Sequence, residues 1–298
     1  MGFRNIFIEN PAKLSNQLNQ LIISQKQNFS IPLNDINTLI IDNTSCIITT
    51  STIAKLAKHK VAVFICDEKH IPCSINLPFA NYYQKLSILE SQFKMRKKTK
   101  GRIWQKIIKQ KIYNQAQNIR NVDKSVYNTM MKISKQVDEY DKNYCEANAA
   151  RIYFKILFDD DFTRRDENIV NGSLNYGYSL VRGIICREIC AIGLEPSLAI
   201  FHHNKLNSFN LADDLIEPFR GLIDKWILKK CLLKDYVDID KTNILKLLYC
   251  DILIDEQKQS LSNAVKIMVA SYKKCCVKNS SSGLILPQQI IMQAHEYK

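Results

Sequence analysis

The sequence predicts an α+β protein: a small N-terminal β-rich domain over residues 1–75, then a larger all-α C-terminal domain over 76–298. Three observations carry that reading. Short apolar runs rich in β-branched residues fill the front, and turn residues bound them, as in Leu39-Ile40-Ile41 before Asp42-Asn43 and Val61 to Ile65 before Asp67-Glu68. From about Tyr82 onward apolar residues recur at helical spacing. Between the two regimes, Pro72 to Pro78 has a proline at each end and marks the boundary.

In the front domain Phe7-Ile8, Leu21-Ile22-Ile23, Leu39-Ile40-Ile41 and Val61 to Ile65 read as strands, and Ser51 to Lys58 reads as a helix capped at Thr50 or Ser51. His59 and His70 stand alone and are assigned surface or structural roles. The next stretch, Tyr82 to Asn118, is helical, with Leu86, Leu89, Phe93, Ile103, Trp104, Ile107, Ile108 and Ile112 as its apolar positions. Val122 to Tyr144 is polar and amphipathic. A helix then runs from Glu146 to Phe158, with Glu146 sharing a face with Ala149, Ala150 and Tyr153. An acid on a packed face needs a partner or a cation; equally, a Glu in a first turn favours the helix dipole. Asp159 to Glu167 reads as a solvated charged loop. Leu174 to Ile192 reads as an apolar helix whose Gly177 and Gly183 admit close packing, with Gly193 ending it and Pro196 just beyond. Leu211 to Leu232 is a further helix bent near Pro218, amphipathic helices fill 240–277, Ser280 to Gly283 is a break, and a last helix follows Pro287.

The charge is unusual for such a chain. Lys and Arg number 42 against 29 Asp and Glu, a net +13, and such an excess suits a polyanion, most often nucleic acid. The ten cysteines are scattered, with no C-x-x-C, which argues against a disulfide framework and a zinc ribbon; Cys186 and Cys190 read as buried apolar residues. The start, MGFRNIFIEN, lacks an export signal, and no apolar run is long enough to cross a bilayer. The expected location is the cytoplasm, with no membrane contact. Glycine-rich nucleotide loops and the G-x-S-x-G elbow are both missing, so dinucleotide, P-loop and serine-hydrolase chemistries have no support.

Chemistry concentrates between Asn171 and Arg220. Asp213, Asp214 and Glu217 are spaced to share one helical face, where like charges repel and a cation would relieve them. His202 lies upstream beyond an Asn-rich loop. Carboxylates and an imidazole suit a divalent ion, the imidazole favouring Mn2+ somewhat over Mg2+. An acidic helix start complementing its dipole accounts for the same acids.

At these residues the sequence resembles the CRISPR-associated integrase-endonuclease family Cas1, in the form found beside a single large RNA-guided effector nuclease, the type II systems. The matching stretches are Glu146-Ala147-Asn148-Ala149-Ala150-Arg151 with Tyr153, Leu174-Asn175-Tyr176-Gly177-Tyr178, Leu198 to His203, and Asn210 to Arg220; Cys66 to His70 in the front domain is also similar. The resemblance implies metal ligands and catalytic residues at Glu146, His202 and Glu217, with Asp214 as an assisting acid and Mg2+ or Mn2+ as the ion. His202 rather than His203 follows from aligning Ala199 to His202 with the family's short run ending in histidine, where Ala199 replaces the usual glycine. The activity implied is insertion of new spacers into a CRISPR array by transesterification, in antiviral defence. The implied partners are double-stranded DNA (prespacer and repeat), the small Cas2 protein and a second copy of the chain, with other adaptation proteins and the effector nuclease beside them. The front domain would make dimer and partner contacts. Lys94 to Lys111 forms a candidate DNA surface, with Arg96, Lys97, Lys98, Lys100 and Arg102 at its core and Arg182, Arg187 and Arg220 beside it. Two other readings remain: a metal-dependent nuclease that does not integrate, and a basic nucleic-acid scaffold without catalysis.

Overall fold

The structure is a computed structural model that describes residues 4–68, 72–79, 85–158, 162–230 and 239–290. His70, the acids at 159–161 and the chain beyond 290 fall outside them. The strands and helices are, in order, β1 (Arg4–Ile8), β2 (Lys13–Gln17), β3 (Gln20–Ser24), β4 (Asn28–Pro32), β5 (Ile36–Ile41), β6 (Ile47–Ile48), α1 (Thr50–Lys58), β7 (Ala62–Cys66), β8 (Pro72–Asn76), α2 (Lys85–Phe93), α3 (Lys97–Ile119), α4 (Lys124–Gln136), α5 (Cys145–Leu157), α6 (Ile169–Ala191), α7 (Asn210–Leu215), α8 (Glu217–Lys230), α9 (Lys241–Lys246), β9 (Asp251–Ile254), β10 (Gln257–Ser260) and α10 (Leu261–Lys278). A β-rich front thus precedes a mostly helical remainder. The chain forms two compact units: Met1–Leu86 with Cys186–Leu194, and Ser87–Ile185 with Glu195–Lys298.

In the first unit one sheet runs in the order β1-β5-β7-β8, the first three strands parallel and β8 antiparallel; a second runs β4-β3-β2-β6. β5 is buried along its whole length, the polar Asn37 and Thr38 with its apolar residues, as a central strand covered on both faces requires. Leu14, Leu21, Ile23, Leu39, Leu56 and Val63 share one core. β2 is a strand that periodicity missed, because KLSNQ is mostly polar. Leu14 supplies its buried position, and Leu18-Asn19, both at positive φ (47° and 60°), make the two-residue turn into β3. The cap of α1 is Thr49, one residue before the expected position, its Oγ1 accepting from Thr52 N at 3.2 Å. The ring of His59 lies 2.7 Å from Asn34 Oδ1, a structural surface contact.

In the second unit α3 is the central helix. Ile103, Trp104, Ile107, Ile108 and Ile112 are buried as their spacing predicts. The helical reading from Tyr82 breaks at Lys94–Arg96 into two helices, and Leu86 and Phe93 of α2 are exposed. α8 crosses α3 at very short range. A Cβ on Gly221 would stand 3.0 Å from Gln115 N and 3.1 Å from the Asn114 carbonyl carbon. We therefore expect Gly221→Ala to cost about 1–3 kcal/mol in urea unfolding, since backbone atoms cannot give way as side chains do. Gly177 of α6 is likewise placed for packing, its would-be Cβ 2.9 Å from Ile223 Cγ2 of α8. Gly193 takes φ 86° after α6, and Leu194 N closes the end on Ile189 O at 3.0 Å.

Two expectations are corrected here. Residues 240–277 are not all helical: β9 and β10 form a hairpin about Asp255-Glu256, both at positive φ (51° and 62°). That turn is built without the Asn or Gly that normally announces it. Nor is the helix expected over Leu211 to Leu232 continuous. Pro218 has no N–H to give the carbonyl of Asp214, so α7 stops at Leu215 and α8 restarts at Glu217 with Pro218 in its first turn. From Pro287, the described part of the tail is extended, with Gln288 bridged to Leu253.

Candidate active site

Asp213 and Asp214 of α7 and Glu217 of α8 each meet a different partner. Asp213 pairs with Arg182, Nε to Oδ1 at 2.5 Å. Asp214 is fully buried and accepts four hydrogen bonds: from the backbone N–H of Ile200 (2.6 Å), Phe201 (2.9 Å) and His202 (3.2 Å), and from the His202 ring, Nδ1 to Oδ1 at 2.6 Å. Glu217 opens α8 and meets two cations, Arg220 Nε at 2.8 Å and the ammonium of Lys111 from α3.

Glu146 reaches the same ammonium from α5. Lys111 Nζ lies 2.5 Å from Glu146 Oε1. The start of α5 is set by Asp141, which accepts from Cys145 N (3.0 Å) and Glu146 N (2.9 Å) and so caps the turn bearing Glu146. Three helices therefore place Glu146, Lys111 and Glu217 together, and the loop before α7 brings His202 within electrostatic reach of both carboxylates. A ring wall backs the imidazole. Phe201 stacks on buried Trp104 (centroids 4.5 Å apart, planes 8° apart), and His202 stands edge-on to Trp104 at 5.6 Å.

Electrostatics follow the geometry. Burial alone would raise the carboxyl of Glu217, but Arg220 and then Lys111 outweigh it and hold the group down to about 2. Burial would likewise discharge Lys111, and Glu217 and Glu146 overcome it, leaving its ammonium more basic than usual. The His202 imidazole is raised, first by its hydrogen bond to Asp214, against desolvation. Behind Arg220 lies a second buried layer. Its guanidinium sits 4.6 Å from the centre of the Tyr178 ring, and Tyr178 O–H donates to Asp224 Oδ1.

Burial pushes Asp224 up to about 6, against the hydrogen bonds from Tyr178 and Tyr153. The unfolded chain loses that proton near the ordinary carboxylate value, so the folded state binds more protons between about pH 4 and 6. Its contribution is fully present below that window and falls by about 3 kcal/mol as pH rises through it. Asp224→Asn cannot titrate, so the difference in melting temperature between variant and wild type should change across pH 4 to 6 and be level above it; a difference independent of pH would refute the assignment.

The described donor set suits a hard divalent ion such as Mg2+ or Mn2+: two carboxylates, and an imidazole whose Nδ1 is engaged by a buried acid, which leaves Nε2 as the ring nitrogen that could ligate. The side chains as placed hold Lys111 between the carboxylates, and among the described residues no three His, Cys, Asp or Glu groups approach closely enough to ligate one ion. His202 is 45% exposed at its side chain. His203 is exposed.

The basic residues divide into two groups. Arg96, Lys97, Lys98 and Arg102 are exposed on or beside the first turns of α3, with Arg102 paired to Glu139 (2.9 Å), while Lys100 is half-buried and donates to Ala199 O at 3.1 Å. Arg182 and Arg220 are part-buried and committed to Asp213 and Glu217. Arg187 is corrected: with 1% of its side chain exposed, it pairs with Glu188 and donates to Lys60 O at 2.8 Å, so it serves the fold rather than a DNA surface. Lys111, read as the end of the basic run, is an interior group. The signal was present in its spacing, because it continues the buried stripe of Trp104 and Ile107. Asp141 carried no such signal. Of the pair read as buried apolar residues, Cys186 is buried and Cys190 partly so.

The family model for CRISPR associated protein Cas1 matches residues 6–240. A CRISPR-associated endonuclease Cas1 of Neisseria meningitidis serogroup C (strain 8013) is 34% identical over the full length of both chains. One of Francisella tularensis subsp. novicida is 24% identical over 83% of this chain and 85% of its own. Among solved structures, a casposase bound to integration product superposes with a TM-score of 0.75 at 18% identity, covering 93% of this chain and 92% of that one. TM1797, a Cas1 protein from Thermotoga maritima, does so with a TM-score of 0.72 at 13% identity over 92% and 97%. These structural likenesses speak to the fold, and with the match over most of its length and the full-length relative, the chain belongs to the Cas1 family of CRISPR-associated proteins.

Proposed function

We propose that the protein is a metal-dependent DNA endonuclease and integrase that inserts spacers into a CRISPR array by transesterification. The observation that carries this reading is the meeting of Glu146 and Glu217, from two helices, at a single cation position that His202 overlooks. Support comes also from the net charge of +13 and from relatives named as endonucleases. A divalent ion bound there would polarise the phosphodiester and steady the charge of the displaced oxygen. The chain's own residues supply the rest. Asp214 fixes the imidazole by Nδ1, so that Nε2 is the ring nitrogen left for the ion. Arg220 keeps Glu217 ionised. The exposed cations at the start of α3 attract phosphates whatever the base sequence, so binding should weaken steeply with salt.

Double-stranded DNA, a Cas2 protein and a second copy of this chain are the partners this reading requires. Solved structures of similar fold include a Cas6-RT-Cas1–Cas2 complex and a Cas1–DNA complex. The pairing with type II systems rests on the stretches from Leu174 to Tyr178 and from Asn210 to Arg220. The test is incubation with Cas2, a short duplex, a supercoiled array plasmid and Mn2+. Joined products are expected. Nicks without joining would leave a nuclease only, and binding that Glu217→Ala leaves unchanged, with no products at all, would leave a scaffold.

A further inference from the structure

Lys111 is an unusual neighbour for a metal site. Its stem rises from the middle of a long helix, its side chain is 7% exposed, and its ammonium touches both carboxylates at once. Counting formal charges, Lys111 and Arg220 balance Glu146 and Glu217, so the cluster is neutral as it stands. A divalent ion added to this neutral, partly enclosed set would leave an excess of two positive charges at short range, which is unfavourable where Lys111 and Glu217 are shielded from solvent. Withdrawal of one ammonium halves that excess. A lysine can withdraw: its charge is compact, its stem flexible, and its three donors accept a new anion in many orientations.

We propose that Lys111 is a tethered counter-ion that fills the Glu146–Glu217 position in the resting protein, so that a divalent ion enters by exchange with its ammonium. The inference rests on the metal reading above and adds to it a defined competitor within the chain. A phosphodiester arriving beside the cluster offers the released ammonium a replacement anion. Metal and DNA binding are then coupled through this one side chain, each strengthening the other.

The experiment is a Mn2+ titration of the metal-free full-length chain, with free Mn2+ read by electron paramagnetic resonance and Glu217→Gln identifying the site counted. Lys111→Met should bind Mn2+ at that site at least tenfold more tightly than wild type, and Lys111→Arg, which keeps the charge, should not. A short duplex should tighten Mn2+ binding in wild type and have little effect in Lys111→Met. A second measurement needs no variant. Acetylation of Lys111, read by mass spectrometry, should be slow in metal-free wild type and several-fold faster with Mn2+. Equal or weaker Mn2+ binding by folded Lys111→Met, or Lys111 labelling indifferent to Mn2+, overturns the exchange and leaves the metal reading standing. Absence of any Glu217-dependent Mn2+ site in wild type and variant overturns both.

Discussion

His202→Ala is expected to lower strand joining by about 10²- to 10⁴-fold at saturating DNA, the range for loss of a positioned catalytic group, while His203→Ala keeps most of it. The two histidines are neighbours in sequence and both are exposed, but the ring of His202 is held by a buried acid and stands edge-on to Trp104. Asp214→Asn tests the bracing separately. It keeps the shape of the acid but weakens the grip on Nδ1 and on three backbone N–H groups, so a fall of about 10- to 100-fold is expected, with DNA affinity little changed. Rates of product formation on the array plasmid decide the matter, with circular dichroism as the folding control. Equal losses from His202→Ala and His203→Ala, or loss from His203→Ala alone, would overturn the assignment.

The largest expected loss of stability lies elsewhere, at Asn114. This residue is fully buried in α3 and uses both ends of its amide. Nδ2 donates to Pro218 O (2.8 Å) and Pro287 O (3.0 Å), while Oδ1 accepts from Gln289 N (3.1 Å) and Gln110 Nε2 (3.0 Å). Alanine would strand two carbonyls and an amide in a dry interior and open a small void beside them. Each stranded group costs about 1–3 kcal/mol, and since such losses are not additive, about 3–5 kcal/mol in total is expected. Urea unfolding measures it directly; a loss under about 1 kcal/mol would mean that solvent reaches the site and replaces the amide. Because Pro218 adjoins Glu217, strand joining should suffer in the same variant even under conditions where it remains folded.

The sequence was most legible where one rule governed a stretch. Trp104, Ile107, Ile108 and Ile112 follow a single helical stripe, and Leu39-Ile40-Ile41 of β5 and the whole of β7 are short apolar runs with clear ends. It was least legible where polar residues do the structural work. β2 is held by one buried leucine and a turn whose first residue is Leu18 at positive φ. The β9–β10 turn is Asp255-Glu256, which propensity would not choose. At the site, spacing drew attention to Asp213, Asp214 and Glu217, and the proline noted as a bend is where α7 gives way to α8, with Ile216 between them still at helical φ and ψ (−74° and −22°). Glu146 was assigned by the family resemblance, because the small residues on its face left a partnered acid and a helix-dipole role equally open. Asn114 was hidden by its type and Lys111 by the basic run around it, because asparagine and lysine on a helix usually meet water; tertiary packing gives them partners, from α5 and α8 for Lys111 and from Pro218 and residues 287–289 for Asn114.

The bonds of Asn114 to Pro287 and Gln289 span 173 and 175 positions along the chain. During translation α3 is made long before the segment that completes its hydrogen bonding, and so is the turn carrying Glu217. A nascent chain can assemble its leading sheets early, but the pairing of these helices must stay provisional until residues 287–289 have been made. Premature termination shortly before Pro287 would thus yield a polypeptide containing every residue assigned to the chemistry and lacking what locks them together.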